Sequence, residues 1–463
     1  MAAFAIVACK DNPVANPIDA PTVDALSGPL TRPALQFLIT GALAQDRATS
    51  NDVPFAIETG IMGRDVYRID ASEPRYVTET LGGQPDPGSF AGGRGFGGYY
   101  TAARAENTIL LSTANLGANQ FSAAEVSAAK GFVRTMKATE YWRVIELRDT
   151  VGAPIQDDDP STANIRPIRC KTAVLAYIAA LLDSANADFA AAGGTTKVPF
   201  TLPSGFTAFG RNYSTVSNLV LFNRGWKGKV DYYRAMDRQN PQPALFVTAI
   251  AELTQALGAA APGAVPPSTF GSGVFYVFVP GGSENSPNTI ADAKIGLNPL
   301  VKDSVQAGDT RGLKIVSRSL LSGNGISTTI THVRAIASAA NQAAPMAILR
   351  DEELVLLRAQ AEIEAGQFAN AAADINDVRT NYGLVALAVF PDKTSAINAL
   401  LYEKRYSLLF EGPQRWVDLR TYGRLSNTYL RKELPTDPFN ASLPLPRGEL
   451  DARGVTTNPA CTA

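Results

Sequence analysis

Residues 349–380 read LRDEELVLLRAQAEIEAGQFANAAADINDVRT, and this stretch decides the fold. Leu349, Leu356 and Ile363 recur at intervals of seven with Leu357 and Ala361 beside them, Gly366 interrupts, and Phe368, Ala371, Ala372, Ile375 and Val378 resume the stripe. Apolar residues at this spacing share one helix face, and glycine accepts the left-handed backbone that ends a helix, so the segment predicts a helix, a tight turn and an antiparallel helix. The same pattern is read from Leu219 through Asn223, Gly225 and Trp226 to Tyr232 and Met236, again with a glycine just ahead of an aromatic.

Two units with a shared glycine–aromatic turn predict stacked helical hairpins of the tetratricopeptide kind, whose period is ~34 residues. Further helices are expected at 33–46, 100–114, 121–148, 171–190, 244–257 and 393–410. In 121–148, Val126, Phe132, Val133, Met136, Tyr141, Val144 and Ile145 form an apolar face, and Glu125, Lys130, Arg134, Lys137 and Glu140 a wet one. Residues 82–98 carry too many Gly and Pro for a regular element. Residues 258–312 are similar, broken by one strand-like run at 274–279. The expected fold is therefore mostly α, a scaffold of tetratricopeptide-like hairpins with long irregular loops and a few short strands. Residues 31–463 are expected to form one domain with loop insertions at 68–98 and 258–330.

The chain has 463 residues, 42 Lys+Arg against 43 Asp+Glu, 45% hydrophobic and 18% charged residues, which excludes disorder and gives no electrostatic drive toward nucleic acid. With one histidine, His332, imidazole-rich metal sites and most Ser or Cys hydrolases are disfavoured, and a structural role is expected for it. Three cysteines are too few for a metal cluster or a disulfide framework. The apolar run 2–8 ends at Cys9, and Ile6-Val7-Ala8-Cys9 resembles a bacterial lipobox, although no basic segment precedes it. On this reading 1–9 is a lipoprotein signal, Cys9 the lipid anchor and 10–30 a flexible tether. No other uninterrupted apolar run approaches eighteen residues, so the body is expected outside the bilayer. Export would allow Cys170 and Cys461 to pair; two free thiols are the alternative.

Four segments, in order, resemble the SusD/RagB family of outer-membrane nutrient-binding lipoproteins. They are Gly97-Gly98-Tyr99-Tyr100 leading to Asn107 and Leu110; Ala124-Glu125 through Tyr141-Trp142 to Val151-Gly152-Ala153-Pro154; Leu349-Arg350 through Asp374-Ile375-Asn376-Asp377-Val378-Arg379; and Glu403-Lys404-Arg405, Leu408 to Gly412 and Arg415-Trp416-Val417-Asp418-Leu419-Arg420. Asn440 and the Leu443-Pro444-Leu445-Pro446 run with Glu449-Leu450 close the match. Ser407 departs from the family's usual acid, and glycines replace the usual tryptophan ahead of Tyr99. The resemblance implies an outer-membrane, lipid-anchored, cell-surface protein without chemical turnover or cofactor. It also implies a SusC-like TonB-dependent β-barrel receptor as partner, to which oligosaccharide or peptide is delivered.

Arg379, Glu403, Arg405, Glu411, Gly412, Arg415, Trp416, Asp418 and Arg420 are read as a structural network, because charges beside an apolar stripe must be paired. Glu411 with Arg415, and Arg415 with Asp418, are spaced to share a helix face. Sugar binding needs flat aromatic faces and short polar partners. Phe90, Phe96, Tyr99 and Tyr100 in the first loop, and Phe275, Tyr276, Asn285 and Asn288 in the second, have that composition. The acidic run Asp157-Asp158-Asp159 reads as a solvated turn, and Arg104-Ala105-Glu106 and Glu352-Glu353 as helix surface. No catalytic or metal constellation emerges, and Gly-rich 91–98 lacks the Lys-Ser/Thr of a phosphate loop, so it is expected to be flexible. A secreted helical scaffold binding a protein partner, and a glycoside hydrolase, are the competing readings.

Overall fold

The computed structural model describes residues 30–51, 54–88, 90–117, 119–156, 165–281 and 285–462. Cys9, nearly all of the tether and the acidic run at 157–159 lie outside the described residues. Leu30 is already buried, and its N–H donates to Asn115 O.

The chain opens with α1 (Arg32–Ser50), whose N-cap Thr31 accepts from Ala34 N, then α2 (Thr59–Met62) and α3 (Gly97–Ser112). The long α4 (Ala123–Arg148) starts at a reciprocal capping box between Ser122 and Glu125, which satisfies two otherwise orphaned N–H groups. There follow α5 (Lys171–Ala192), α6 (Val216–Ala235), α7 (Leu245–Ala256), and two short helices, α8 (Pro299–Asp303) and α9 (Ala339–Gln342). The diagnostic segment forms α10 (Asp351–Glu364) and α11 (Phe368–Asn381), with Gly366 at positive φ between them. Helices α12 (Lys393–Ser407), α13 (Gln414–Thr421) and α14 (Arg447–Ala452) complete the series. α4 packs on α5, α5 on α6, α6 on α7, and α7 on α10, which contacts α11 and α12. The protein is mostly α, a stack of hairpins as expected.

Helix α5 is long and apolar enough to cross a membrane by length and composition. Here it buries Val174, Leu175, Ile178 and Leu182, and its Asp188 pairs with Arg134 of α4.

Eight short strands form four antiparallel ribbons among the described residues. β1 (Val66–Arg68) pairs with β5 (Ile295–Leu297), and β2 (Ala153–Pro154) with β3 (Ile168–Arg169). β4 (Gly273–Tyr276) pairs with β8 (Met346–Arg350), and β6 (Ile315–Gly323) with β7 (Ile326–His332). The insertions expected to be irregular are therefore knitted together: β1 borders the first and β5 lies in the second. Residues 76–81 form a π-helical turn that buries Tyr76, Val77 and Leu81.

Several expectations need correction. Leu219–Met236 is no hairpin but a single helix, α6, and Gly225 is a packing glycine rather than a turn. A Cβ there would meet Leu349 and Leu354 side chains at 3.0 and 3.1 Å. Gly97 and Gly98 begin α3. Lys137 and Glu140, assigned to a wet face, are buried, as are Glu106, Glu352 and Glu353, because α4 and α10 are enclosed by other helices. The β6–β7 hairpin turns at Asn324-Gly325, both at positive φ, the backbone that lets a tight turn match strand twist.

Cys170 and Cys461 form a disulfide with Cα atoms 4.8 Å apart. It fastens the C-terminal tail to the start of α5, and Cys170 N also donates to Thr462 O.

Candidate functional site

A cleft of about 360 Å³ opens between α1, the turn at 201–206 and the chain leaving β4. Leu43, Leu202, Phe206, Val277, Val279 and Ile348 give it an apolar wall, and Gln36, Thr40, Arg47 and Ser204 bring polar groups to it. The turn is zipped to α1 because Gln36 Nε2 donates to Thr201 O (3.1 Å) and Thr201 N to Gln36 Oε1 (2.7 Å). Gly205 is required by contact: a Cβ there would stand 1.9 Å from Phe275 O. Arg47 Nη1 donates to Val277 O at 3.3 Å, tying α1 to the opposite rim.

Both Phe275 and Tyr276 border this cleft, but neither offers a free face. The Phe275 ring is stacked on Phe209 at 4.3 Å. Tyr276 OH points inward, donating to Asp46 Oδ1 (2.8 Å) and bonding Ser50 Oγ (2.9 Å), which in turn reaches Tyr99 OH (3.3 Å). Tyr99 is only 1% exposed. These bonds tie the Tyr99 and Tyr276 hydroxyls into the packing of α1.

The other sequence-predicted residues are placed elsewhere. Phe96 and Tyr100 form a tilted pair at 4.8 Å on the wall of a second cleft, about 440 Å³, with Arg166, Glu449 and Arg453 opposite. Tyr100 OH donates to Pro154 O at 2.6 Å. Phe90 is half-buried, edge-on to Tyr76, and its ring is covered by the guanidiniums of Arg94 (4.0 Å) and Arg75 (4.7 Å). Asn285 Oδ1 accepts from Gly281 N in an exposed turn, whereas Asn288 is buried, donating to Ala344 O and accepting from Ile290 N. The eight residues are thus dispersed over two clefts and their surroundings.

Arg148 was missed by sequence reading. Its buried guanidinium donates to Gly95 O (2.8 Å), Arg94 O (2.7 Å), Gly92 O (3.3 Å) and Pro444 O (3.3 Å). The glycine-rich segment expected to be flexible is wrapped around this cation, whose pKa burial lowers to about 10. An arginine among apolar residues near the end of α4 was the available signal.

The signature residues assemble into a buried ionic frame. Glu403 accepts from Arg379 Nη1 (2.9 Å) and pairs with Arg311 (2.6 Å); Arg405 binds Asp65 (2.6 Å); Lys404 binds Asp418 (2.8 Å). Glu411 takes two bonds from Arg350, at 2.7 and 3.0 Å. Arg415 faces Asp65 at 3.8 Å, so the pairs expected within 411–418 are replaced by pairs between elements. Ser407, in place of an acid, accepts from Arg311 Nη1 at 2.9 Å. Trp416 Nε1 donates to Asn440 O, and Arg420 lies over the Trp416 ring while donating to Glu146 O and Ala441 O. Gly412 sits at φ 126° against Phe55.

Comparison with known proteins adds a likeness in sequence and in fold. The SusD family sequence model matches residues 326–442, which span β7, β8 and α10 to α13. No curated protein sequence matches the chain. Among solved structures, a SusD superfamily protein from Bacteroides fragilis is 15% identical, with 94% of this chain and 100% of that chain covered and a TM-score of 0.69. A laminarin-binding SusD-like protein is 15% identical, covering 91% of this chain and 98% of its own, at a TM-score of 0.66. Surface glycan-binding protein A from Bacteroides thetaiotaomicron is 12% identical, with 92% and 98% covered and a TM-score of 0.66. Identities this low carry the fold and leave the ligand open. The chain is similar to SusD-family proteins: their sequence model matches residues 326–442, and its fold is that of solved SusD superfamily structures.

Proposed function

We propose that this protein is a lipid-anchored, cell-surface nutrient-binding protein that captures an oligosaccharide, or a peptide, and hands it to a SusC-like TonB-dependent outer-membrane transporter. The observation that carries the reading is the SusD-like fold over nearly the whole chain, shared with proteins that bind laminarin and surface glycans. The lipobox-like Cys9 would supply the anchor, and the Cys170–Cys461 bridge fits an exported, oxidising setting. The cargo seat is the cleft between α1 and β4, where an apolar wall faces Gln36, Thr40, Arg47 and Ser204, the combination that suits ligands with apolar faces and polar rims. The protein binds and releases without chemical turnover.

Isothermal titration against laminarin oligosaccharides, other glycans and peptides tests capture, and co-purification of a β-barrel from outer membranes tests delivery. Thr40 is exposed on α1, so Thr40→Trp fills the cleft mouth without entering the core. Binding that disappears in this variant supports the seat; unchanged affinity moves it elsewhere. Failure of every glycan and peptide to bind, with no barrel recovered, favours a scaffold for another protein.

A further inference from the structure

Beneath the floor of that cleft, α1, α3 and α4 meet, and each brings one carboxyl to the seam. Asp46, Glu106 and Glu140 are 2%, 2% and 1% exposed, so none can be solvated in place. Neither oxygen of Glu140 nor Oε2 of Glu106 has a hydrogen-bond donor among the described residues. The Glu140 carboxyl lies within hydrogen-bonding reach of Asp46. A carboxylate buried with no donor to hold its charge is costly, so Glu140 keeps its proton.

The surrounding charges do not neutralise three anions. Facing the seam are Ser50 from α1, Tyr99 from α3, Lys137 and Arg143 from α4, and Tyr276 from β4. Arg143 is shared: it lies over the Phe55 ring at 4.2 Å and faces Glu146 at 3.7 Å. Lys137 acts on Glu106. Burial first, and mutual repulsion second, pushes the Glu106 and Glu140 carboxyls well above their ordinary range; burial also raises Asp46, against the Tyr276 hydroxyl and Arg143.

We propose that Asp46, Glu106 and Glu140 form one proton-sharing cluster that seats α1 and β4, so that the cleft wall is tight while the cluster keeps its protons and loosens as pH rises. The link to the cleft is direct, since Asp46 and Tyr276 line it and their side chains are bonded to each other beneath it. The consequence for cargo rests on the cleft being the seat, whereas the cluster itself is testable with no ligand present.

The sign follows from linkage. Between the ordinary carboxyl range and the raised folded values, the folded protein holds more protons than the unfolded chain, so stability falls as pH rises. Glu362, raised to about 8 by burial and Asp374, adds to the same slope, so the informative quantity is a difference between proteins. Calorimetric Tm and hydrogen–deuterium exchange over 43–50 and 273–279 are measured between about pH 5 and about pH 9 for the unsubstituted protein, Glu140→Gln and Asp46→Asn. The unsubstituted protein is expected to lose Tm and, once the base-catalysed intrinsic rate is divided out, to lose protection in both segments as pH rises, and each amide variant to show a shallower slope. An undiminished slope in both variants, or protection factors that do not respond to pH, overturns the proposal. Should the variants fail to fold, the infrared C=O stretch of buried protonated carboxyls in the unsubstituted protein at neutral pH decides: its presence supports the cluster and its absence overturns it. Loss of cargo binding in the titrations, with the slopes intact, breaks the seat and not the cluster.

Discussion

Two parts of the same helical frame bury acids in opposite company. Around α10 and α12 most buried carboxylates are met by a cation from another element, Glu362 beside Asp374 being the exception. Burial pushes Glu352 and Glu353 up, but Arg350 with Ser407 and Lys314 for the first, and Lys229, at 2.9 Å, with Lys404 and Arg143 for the second, together leave both below their ordinary value. At the seam of α1, α3 and α4, Asp46, Glu106 and Glu140 meet one another, and their pKa values rise. Glu352 and Glu353, held by their cations, stay ionised near neutral pH and fix their helices there. The seam is stable only with protons aboard. The 326–442 match covers the first part, whereas the seam lies under the cleft and outside it.

The sharpest way to break the comparison is to unpair the first part. Arg350→Met leaves Glu352 and Glu411 buried without their cation and strips a donor from Ser407 O and Phe270 O. Removing one partner of a buried pair costs about 3–5 kcal/mol, because the remaining charge cannot be rehydrated. Urea unfolding should show a loss of that size; a loss below ~1 kcal/mol would mean that water reaches the pair, as at a surface bridge.

A second change asks whether the covalent tie between the C-terminal tail and α5 steadies the helical frame that both parts share. The Cys170–Cys461 bridge closes a sequence separation of 291 residues and holds Thr462 against Ile168. Cross-links over long loops restrict the unfolded chain most, so Cys170→Ser with Cys461→Ser is expected to cost about 2–5 kcal/mol. Equal Tm for the two proteins under non-reducing conditions would show that the tail contributes nothing to the body.

The same contrast explains what could be read from the sequence. Helices with a one-sided stripe were legible to within a few residues: 171–190 became Lys171–Ala192 and 244–257 became Leu245–Ala256. Where a helix is enclosed on every side, periodicity loses its meaning. Lys137 and Glu140 looked wet because nothing local says that α3 and α5 pack against α4. Gly225 looked like a turn because a glycine that admits a neighbouring Leu side chain and a glycine that bends the chain have one letter. The alternation in 315–332 and its Asn-Gly turn were a legible hairpin that Gly and Pro counting overlooked. The ligand face was least legible. An aromatic in a loop advertises a ring, but which side of it is covered, by Phe209 for Phe275 or by two guanidiniums for Phe90, is settled only by residues distant in sequence.

The smallest effect probes the comparison through pH alone. His332, at the end of β7 in the signature part, is buried beside Phe410, and its Nδ1 accepts from Arg334 N at 3.1 Å. Burial, reinforced by Lys314 and Arg334, depresses its pKa to about 3. The unfolded chain therefore takes up a proton below its ordinary range that the folded chain refuses, so this residue makes stability fall as pH falls, opposite in sign to the seam acids. From the ordinary value near 6.5, the loss amounts to about 1 kcal/mol by about pH 6. His332→Asn keeps an acceptor for Arg334 N and removes the titration, so its stability should be flatter than that of the parent over about pH 5–7 while the fall at higher pH is unchanged. If the variant instead flattened the alkaline side, the two parts of the frame would not titrate independently, and the division between a fixed ionic frame and a proton-holding seam would fail.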